Sequence, residues 1–599
     1  MLSIFILFCG LPGLASGLYR QANNYRYYDD LTGLWTFMKE PHNAGDRGIE
    51  QEWFKKDLSK MENSTVMPVP VAYNDMSAEA SLRDHVGWVW YQKNEFIPDR
   101  DKDLRIFLTF ESAQYYAVVY FNSKLIGEHE GGHLPFSFEV TDHVKFGADN
   151  KITVAVNNTL SYSTIPEAEF QYKARKEMAF GGNQSMTQYA PGFFEMTVQF
   201  DFFNYAGLLR TVYLEKKPKI HIDDIRVVSD HVGAIFWKIV LDGSAGLTGS
   251  GQVKSPKLWW PRGMGDPNLY IFRVEISSPD GQIVDQYDEE FGFRSVTYDN
   301  HQMYINNKPF YCIGFGMHED SEIHGRGYDE AVMTKDLNLF EWVGANCYRT
   351  SHYPYAQERI RESDRRGIAV ILETPAVGLK VFTDHNLKLH KQIVTEMIMR
   401  DKNHPSVIMW SLSNEPHTER KESRNYFKTL VDLAHDLDQS RPVTIVYGPS
   451  HWEDDQTADL IDVVCLNRYW GWYDDMGYLE TVNQSVVFDY TMWYEKFKKA
   501  MIMTEYGADS IVGLNQQPAV DFSEQYQNEL IRETHKALDH LRKAKILTGE
   551  MIWNFADFMT APAALRAVGN HKGIFTRTRQ AKQAAYTLRD RYLKLLPQL

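Results

Sequence analysis

At 599 residues the chain is too long for a single hydrophobic core and should divide into roughly three to five domains. Hydrophobic residues at 43%, aromatic residues at 14% and charged residues at 24% exclude a disordered or fibrous chain, and the aromatic share suits carbohydrate-stacking surfaces as well as cores. With 64 basic against 79 acidic residues the net charge is −15, which argues against a general nucleic-acid or anionic-membrane partner and requires any anion site to be local.

Residues 1–17 (MLSIFILFCGLPGLASG) form an apolar run of signal-peptide length ending in small residues, cleavable after Gly17, although the usual basic start is missing. The run is too short to span a bilayer comfortably and is broken by Gly10, Pro12 and Gly13, and no later stretch is a membrane span. Sequons at Asn63, Asn157, Asn183 and Asn483 fit a secretory route, each weakly by itself. Cleavage would remove Cys9 and leave Cys312, Cys347 and Cys465, which at such wide spacing read as buried packing thiols and not as a disulfide framework.

From 18 to 214, short alternating runs at 34–37, 86–91, 105–110, 116–121 and 151–156 predict a β-sandwich, a jelly roll, which either supports its neighbours or binds. From 215 to 298, runs at 220–228, 236–241, 258–261 and 269–274 predict an immunoglobulin-like sandwich. Between Leu241 and Gln252 there is only a glycine-rich turn (GSAGLTGSG). From 299 to 599 there are eight strand candidates: 310–315, 345–349, 368–372, 407–410, 443–447, 463–466, 501–503 and 551–553. Amphipathic stretches such as 426–438 and 526–543 lie between them, the alternation of a (β/α)8 TIM barrel.

Two of these strands end in a carboxylate. In DKNHPSVIMWSLSNEP (401–416) the apolar run leads into Asn414-Glu415-Pro416 at the barrel face where active sites sit. A plainer account is that Asn414 caps the next helix and Glu415 stabilises its positive end. MIMTEYG (501–507) repeats the pattern with Glu505. Two carboxyl groups facing one pocket are what glycoside hydrolysis requires, one as proton donor and one as nucleophile or base. A separation of about 5 Å retains anomeric configuration, and a wider one inverts it.

With NCYRTSHYP (346–354), these stretches resemble the two signatures of glycoside hydrolase family 2, and the resemblance covers nearly the whole chain after the leader. The wording is nearest to that of members acting on glucuronides. The resemblance implies retaining, exo-acting hydrolysis of terminal β-D-glucuronic acid from glycosaminoglycan fragments and glucuronide conjugates, by a lysosomal or secreted homotetramer needing no cofactor. Glu415 would be the acid/base and Glu505 the nucleophile, with Asn414, Asn467, Arg349 and His352 supplying hydrogen bonds around them. Tyr469 and Tyr473 in NRYWGWY resemble site tyrosines; an aromatic loop is more often packing, and only Tyr469 is expected at the reacting centre. Trp553 in MIWNF would be the stacking floor. Asp201 in FDFFNYAG would reach the sugar, unless it is only a turn aspartate.

His318-Glu319-Asp320 with His324 lacks His-Glu-x-x-His spacing and sits on an irregular loop, so His318 is expected to hydrogen-bond substrate or a catalytic carboxylate and no metal is expected. Substrate choice turns on LRAVGNHKG (565–573), where Asn570 and Lys572, with Arg566 upstream, would clamp the C6 carboxylate; without the resemblance this is a solvated loop. A neutral-sugar rival, a β-galactosidase or β-mannosidase, should lack that pair. An inactive glycan-binding protein on the same scaffold should have lost a catalytic glutamate. The glycine-rich stretch before Gln252 departs from the family, which carries further strand sequence there, so the second domain is expected to be shortened, with an open sheet edge or an unsatisfied core.

Overall fold

The computed structural model describes residues 17–41, 45–173, 175–177, 186–242, 246–448 and 450–598. Residues 1–16 of the expected leader, and Asn183, lie outside these.

The first domain packs a six-stranded antiparallel sheet against a four-stranded one. Its central strand Trp88–Ile97 opens on four consecutive apolar residues because both faces are covered there: Val89 and Tyr91 enter the inter-sheet core, while Trp88 and Trp90 pack outward beneath Trp53 and Leu58. Asn63 is exposed, and Asn157 and Asn483 are half-buried.

The second domain pairs Ile222–Ser229, Ala234–Leu241 and Leu247–Gln252 in one sheet and Tyr270–Ser277 with Ile283–Phe291 in another. The glycine-rich stretch is therefore not only a turn: Leu247–Gln252 is an edge strand running antiparallel to Ala234–Leu241. Glycine belongs there because the Trp237 ring lies across it, and a Cβ on Gly249 would come within 2.3 Å of that ring. A second expected strand, 258–261, is instead two isolated bridges, and Trp259 pins the domain to the barrel by donating its indole N–H to the Asp364 carbonyl at 2.8 Å.

The barrel is closed, with eight parallel strands in sequence order: β1 Cys312–Gly316, β2 Cys347–Arg349, β3 Ala369–Glu373, β4 Val407–Asn414, β5 Val443–Tyr447, β6 Val464–Asn467, β7 Met501–Glu505 and β8 Leu547–Ile552. Lys421–Leu437 and Glu524–Lys543 are among the helices around it. The cysteines correct the expectation of three packing thiols. Cys312 and Cys347 form a disulfide and Cys465 is the free, buried one. The 35-residue separation looked too wide, but a βα unit returns the chain beside its own first strand and brings the two Cα atoms to 5.4 Å. Among the described residues no helix is long and apolar enough to cross a membrane.

The first domain also reaches the barrel mouth. Glu167 accepts the amides of Lys380 and Val381 at 2.9 and 3.1 Å, and the Phe203 amide donates to the Met559 carbonyl at 2.8 Å, so 200–206 lies against the loops that follow the strands.

Candidate active site

β4 and β7 carry the two glutamates to one place. Glu415 follows β4 with φ +49°, its amide donating to the Val446 carbonyl at 2.7 Å, and this turn swings the side chain toward the barrel axis. Gly448 after β5 makes room for it: a Cβ there would sit 2.2 Å from the Glu415 carboxyl carbon. Glu505 is the last residue of β7 and is buried.

Their surroundings differ. Glu505 accepts from the Arg349 guanidinium and, on its other oxygen, from the Tyr469 hydroxyl at 2.5 Å. Glu415 accepts from the Asn467 amide at 2.7 Å, and that amide is oriented by Thr504, whose hydroxyl donates to the Asn467 oxygen at 2.8 Å. Burial pushes both carboxyls up, Glu505 to about 8, with Glu415 adding to the effect on Glu505 and Arg349 opposing it. The pair therefore keeps one proton near neutrality. Their hydrogen bonding is unequal: Glu505 faces two strong donors, and Glu415 faces one neutral amide.

A third strand-end carboxylate, Glu373 on β3, was not anticipated, although AVILE has the same form as MIMTE. It accepts from Arg349 at 2.8 Å and from Ser411 at 2.8 Å and lies 2.9 Å from His352 Nδ1. Burial raises its pKa, but Arg349 and these hydrogen bonds outweigh burial and hold it below the usual range. Glu373 is thus a fixed anion that orients Arg349. Asn414 accepts on its oxygen from Arg349 and Asn467 at 3.1 and 3.2 Å, leaving its amide nitrogen for a ligand. Trp553 stacks on His352 with ring centroids 4.9 Å apart.

A pocket of about 330 Å³ opens over these groups, lined by Glu415, Glu505, Asn414, His352, Trp553 and Tyr469 below and by Asp201, Tyr473, Arg566, Lys380 and His417 above. On one side Arg566 donates to Asp201 at 2.7 Å and to the Tyr473 hydroxyl at 2.6 Å, and Asn570 donates to Asp201 at 2.9 Å. Lys572 is fully buried behind them, paired with Asp509 and 2.9 Å from the Tyr473 hydroxyl. Arg566, Asn570 and Lys572 thus lie together, with their donors held by Asp201 and Asp509.

Of the two partners expected for His318, a catalytic carboxylate is not one that the structure shows. Its Nδ1 lies 3.1 Å from the Tyr353 hydroxyl, its Nε2 is buried without a partner among the described residues, and it makes no hydrogen bond to either glutamate. Burial depresses its pKa well below the usual value, which keeps it neutral against Phe558 and Trp553. Glu319 and Asp320 are taken by Arg210 and Arg577, and among the described residues no group of three His, Cys, Asp or Glu is arranged to hold a metal.

A closed parallel barrel with two carboxyls over one pocket, Glu415 just after β4 and Glu505 at the end of β7, is the equipment of a glycoside hydrolase. The chain belongs to glycosyl hydrolases family 2: the family's sugar-binding domain matches residues 28–218, its second domain 212–294 and its TIM-barrel domain 296–596. The beta-glucuronidase of Sus scrofa is 40% identical over 623 aligned residues, covering 98% of this chain and 94% of that protein, and the Homo sapiens enzyme is 40% identical with the same coverage. Among solved structures, beta-glucuronidase from an uncultured Clostridium superposes with a TM-score of 0.86 at 40% identity, covering 96% of this chain and 99% of that one. The beta-glucuronidase from Ruminococcus gnavus, solved in complex with D-glucuronic acid, gives 0.87 at 33% identity, covering 96% of this chain and all of that one.

Proposed function

We propose that the chain is a retaining exo-β-glucuronidase working by double displacement. Glu505 attacks the anomeric carbon while Glu415 donates its proton to the departing oxygen; Glu415 then takes a proton from water, which breaks the glycosyl ester. The observation that carries this is the unequal hydrogen bonding of two carboxyls over one pocket, Glu505 buried and Glu415 half-buried, which supports a base-ready nucleophile beside a proton donor. Arg349, fixed by Glu373, and Tyr469 hold Glu505 in line. Asn414 has an amide N–H for a sugar hydroxyl, and Trp553 offers its face to the ring.

The sugar's C6 carboxylate would take the place on Arg566 and Asn570 now held by Asp201, with Lys572 adding positive field through Tyr473. Asp201, once released, is free to accept from a sugar hydroxyl. Glycosaminoglycan fragments and small glucuronide conjugates are the substrates we infer, and a lysosomal or secreted homotetramer is the setting that family membership and the sequons support.

The test is hydrolysis of paired chromogenic β-glucuronide, β-galactoside and β-mannoside from pH 4 to 7. Turnover of the glucuronide alone is expected. Faster turnover of either neutral sugar would assign the site to a neutral-sugar hydrolase of the family, and no turnover of any would leave a glycan-binding protein.

A further inference from the structure

Among the described residues, the lysines and arginines of the pocket and of the wall behind it are paired with carboxylates, with one exception. Arg349 is paired with Glu373 and Glu505, Arg566 with Asp201, and Lys572 with Asp509, while His417 Nδ1 lies 2.8 Å from Glu419. Lys380, in the loop after β3, lines the same pocket, yet its ammonium donates to the neutral carboxamide of Gln199 at 2.5 Å. No carboxylate stands within ion-pair distance of it among the described residues. The Glu167 carboxylate in its neighbourhood accepts the amides of Lys380 and Val381 and acts on the ammonium only from beyond ion-pair distance.

Its position is also fixed. The Lys380 carbonyl accepts from Arg420 at 2.7 Å, and Gly378 two residues earlier, at φ +59°, packs so closely on the first domain that a Cβ would meet the Gln199 carbonyl at 2.4 Å. Only glycine permits that approach. An unpaired ammonium held at the rim of a pocket, half-buried by two domains, is a standing site for an anion.

Barrel order says which part of the substrate meets it. In an eight-stranded ring the loops after β3 and β4 stand across the mouth from those after β7 and β8. Arg566, Asn570 and Lys572 all follow β8. Glu415, the proton donor to the departing oxygen, follows β4 on the Lys380 side. We propose that Lys380 recognises an anionic group, a carboxylate or a sulfate, on the leaving group, so that the enzyme discriminates among glucuronides by aglycone charge. This rests on the glycosidase reading above and adds to it a second anion subsite, separate from the one for the sugar's own carboxylate.

The experiment compares kcat/KM for 4-carboxyphenyl and 4-sulfophenyl β-glucuronides with their neutral carbamoyl and sulfamoyl counterparts, in wild type and in Lys380→Gln, Lys380→Glu and Lys380→Arg. The anionic-to-neutral ratio is the readout, and dividing mutant by wild-type ratios removes leaving-group electronics. Lys380→Gln should lower the ratio on the order of 10-fold, the low end for a charge-assisted contact because the site is partly open to water, and Lys380→Glu should lower it further. Lys380→Arg should restore it. A fall confined to the carboxylate pair or to the sulfonate pair, which stands in for a sulfate, identifies the anion. A ratio unchanged in both Lys380→Gln and Lys380→Glu overturns the proposal. If wild type cleaves none of the four glucuronides, the glucuronidase reading has failed instead, and the same ratios on β-galactosides decide the subsite.

Discussion

The floor of the pocket and its recognition wall use the same chemistry, carboxylates against cations, and are built in opposite ways. On the floor Arg349, Glu373, Asn414 and Glu505 are strand-end residues, held by the parallel ladder and by one another, all buried. The wall joins two remote segments: Asp201 comes from the first domain and meets Arg566 across 365 residues of sequence, on a loop after β8. Their charges differ too. With Glu415 protonated, one guanidinium on the floor faces two carboxylates, leaving a net negative site beneath the sugar where positive charge develops in an oxocarbenium-like transition state. On the wall two cations face two carboxylates and cancel. In the proposed reaction the floor is preorganised for a charge that appears during reaction, whereas the wall would stay balanced until the substrate's own carboxylate displaced Asp201.

The largest effects should fall on the floor, and they should separate its two glutamates. Glu505→Ala removes the nucleophile and should cost on the order of 10^4- to 10^6-fold in kcat with every leaving group. Glu415→Ala removes a proton donor, worth about 10²- to 10⁴-fold for poor leaving groups and far less for activated phenols that need little protonation. Azide should rescue Glu415→Ala with the β-glycosyl azide as product, read by NMR. An α-azide would mean inversion and would dissolve the contrast between donor and nucleophile.

Next in size is the wall. Lys572→Ala should lower kcat/KM for a β-glucuronide roughly 10- to 150-fold, the worth of a buried charge-assisted contact, and leave the ratio to the matching β-glucoside shifted by as much. The same change strands the buried Asp509 carboxylate, which costs about 3 to 5 kcal/mol of stability. Lys572→Met with Asp509→Asn therefore completes the test: the melting temperature should recover while the selectivity does not. Were the double variant to regain glucuronide preference, Lys572 would be a scaffold for Asp509 and the wall would not read the carboxylate by charge.

That difference in construction also explains what could be read in the chain beforehand. Floor residues sit in a local grammar, an apolar run followed by a polar terminus, and all eight barrel strands, with Glu415 and Glu505 at two exits, were visible in it. Glu373 had the same grammar and was passed over because nothing in AVILE says that its charge is already spent on Arg349. Asp201, Arg566, Asn570 and Lys572 have no such grammar: each is an ordinary loop residue until the fold brings the segments together, so only the family resemblance could nominate them. His318 looked like a ligand for the site because its neighbours are polar in sequence, while in space its ring packs among Phe202, Phe558 and Trp553. The edge strand Leu247–Gln252 was hidden by its glycines, and the Cys312–Cys347 pair by a separation that only βα geometry closes.

The smallest effect tests a residue that belongs to the wall's domain but is built like the floor. Glu167, fully buried in the first domain, accepts two amides of the Lys380 loop, and burial raises its pKa to about 7 against the pull of those hydrogen bonds. A carboxyl whose folded pKa is raised contributes stability in full below its unfolded value, about 4.3, and loses that contribution as pH climbs through 7. Buried histidines with depressed values, His352 and His390 among them, work the other way, losing stability as pH falls below about 6.5, so the melting temperature of the wild type alone cannot isolate Glu167. The difference between wild type and Glu167→Gln can, since every other group cancels. From pH 5 to pH 8 that difference should move against the wild type by several degrees, corresponding to at most about 3 kcal/mol, with the glutamine variant gaining relative stability as the wild-type carboxyl is forced to ionise. Scanning calorimetry at pH 5, 6, 7 and 8 measures it. A difference independent of pH would mean that the two amides keep Glu167 ionised throughout, in which case the seam between the domains is an anion held by backbone N–H groups, and the Lys380 ammonium has a permanent negative neighbour.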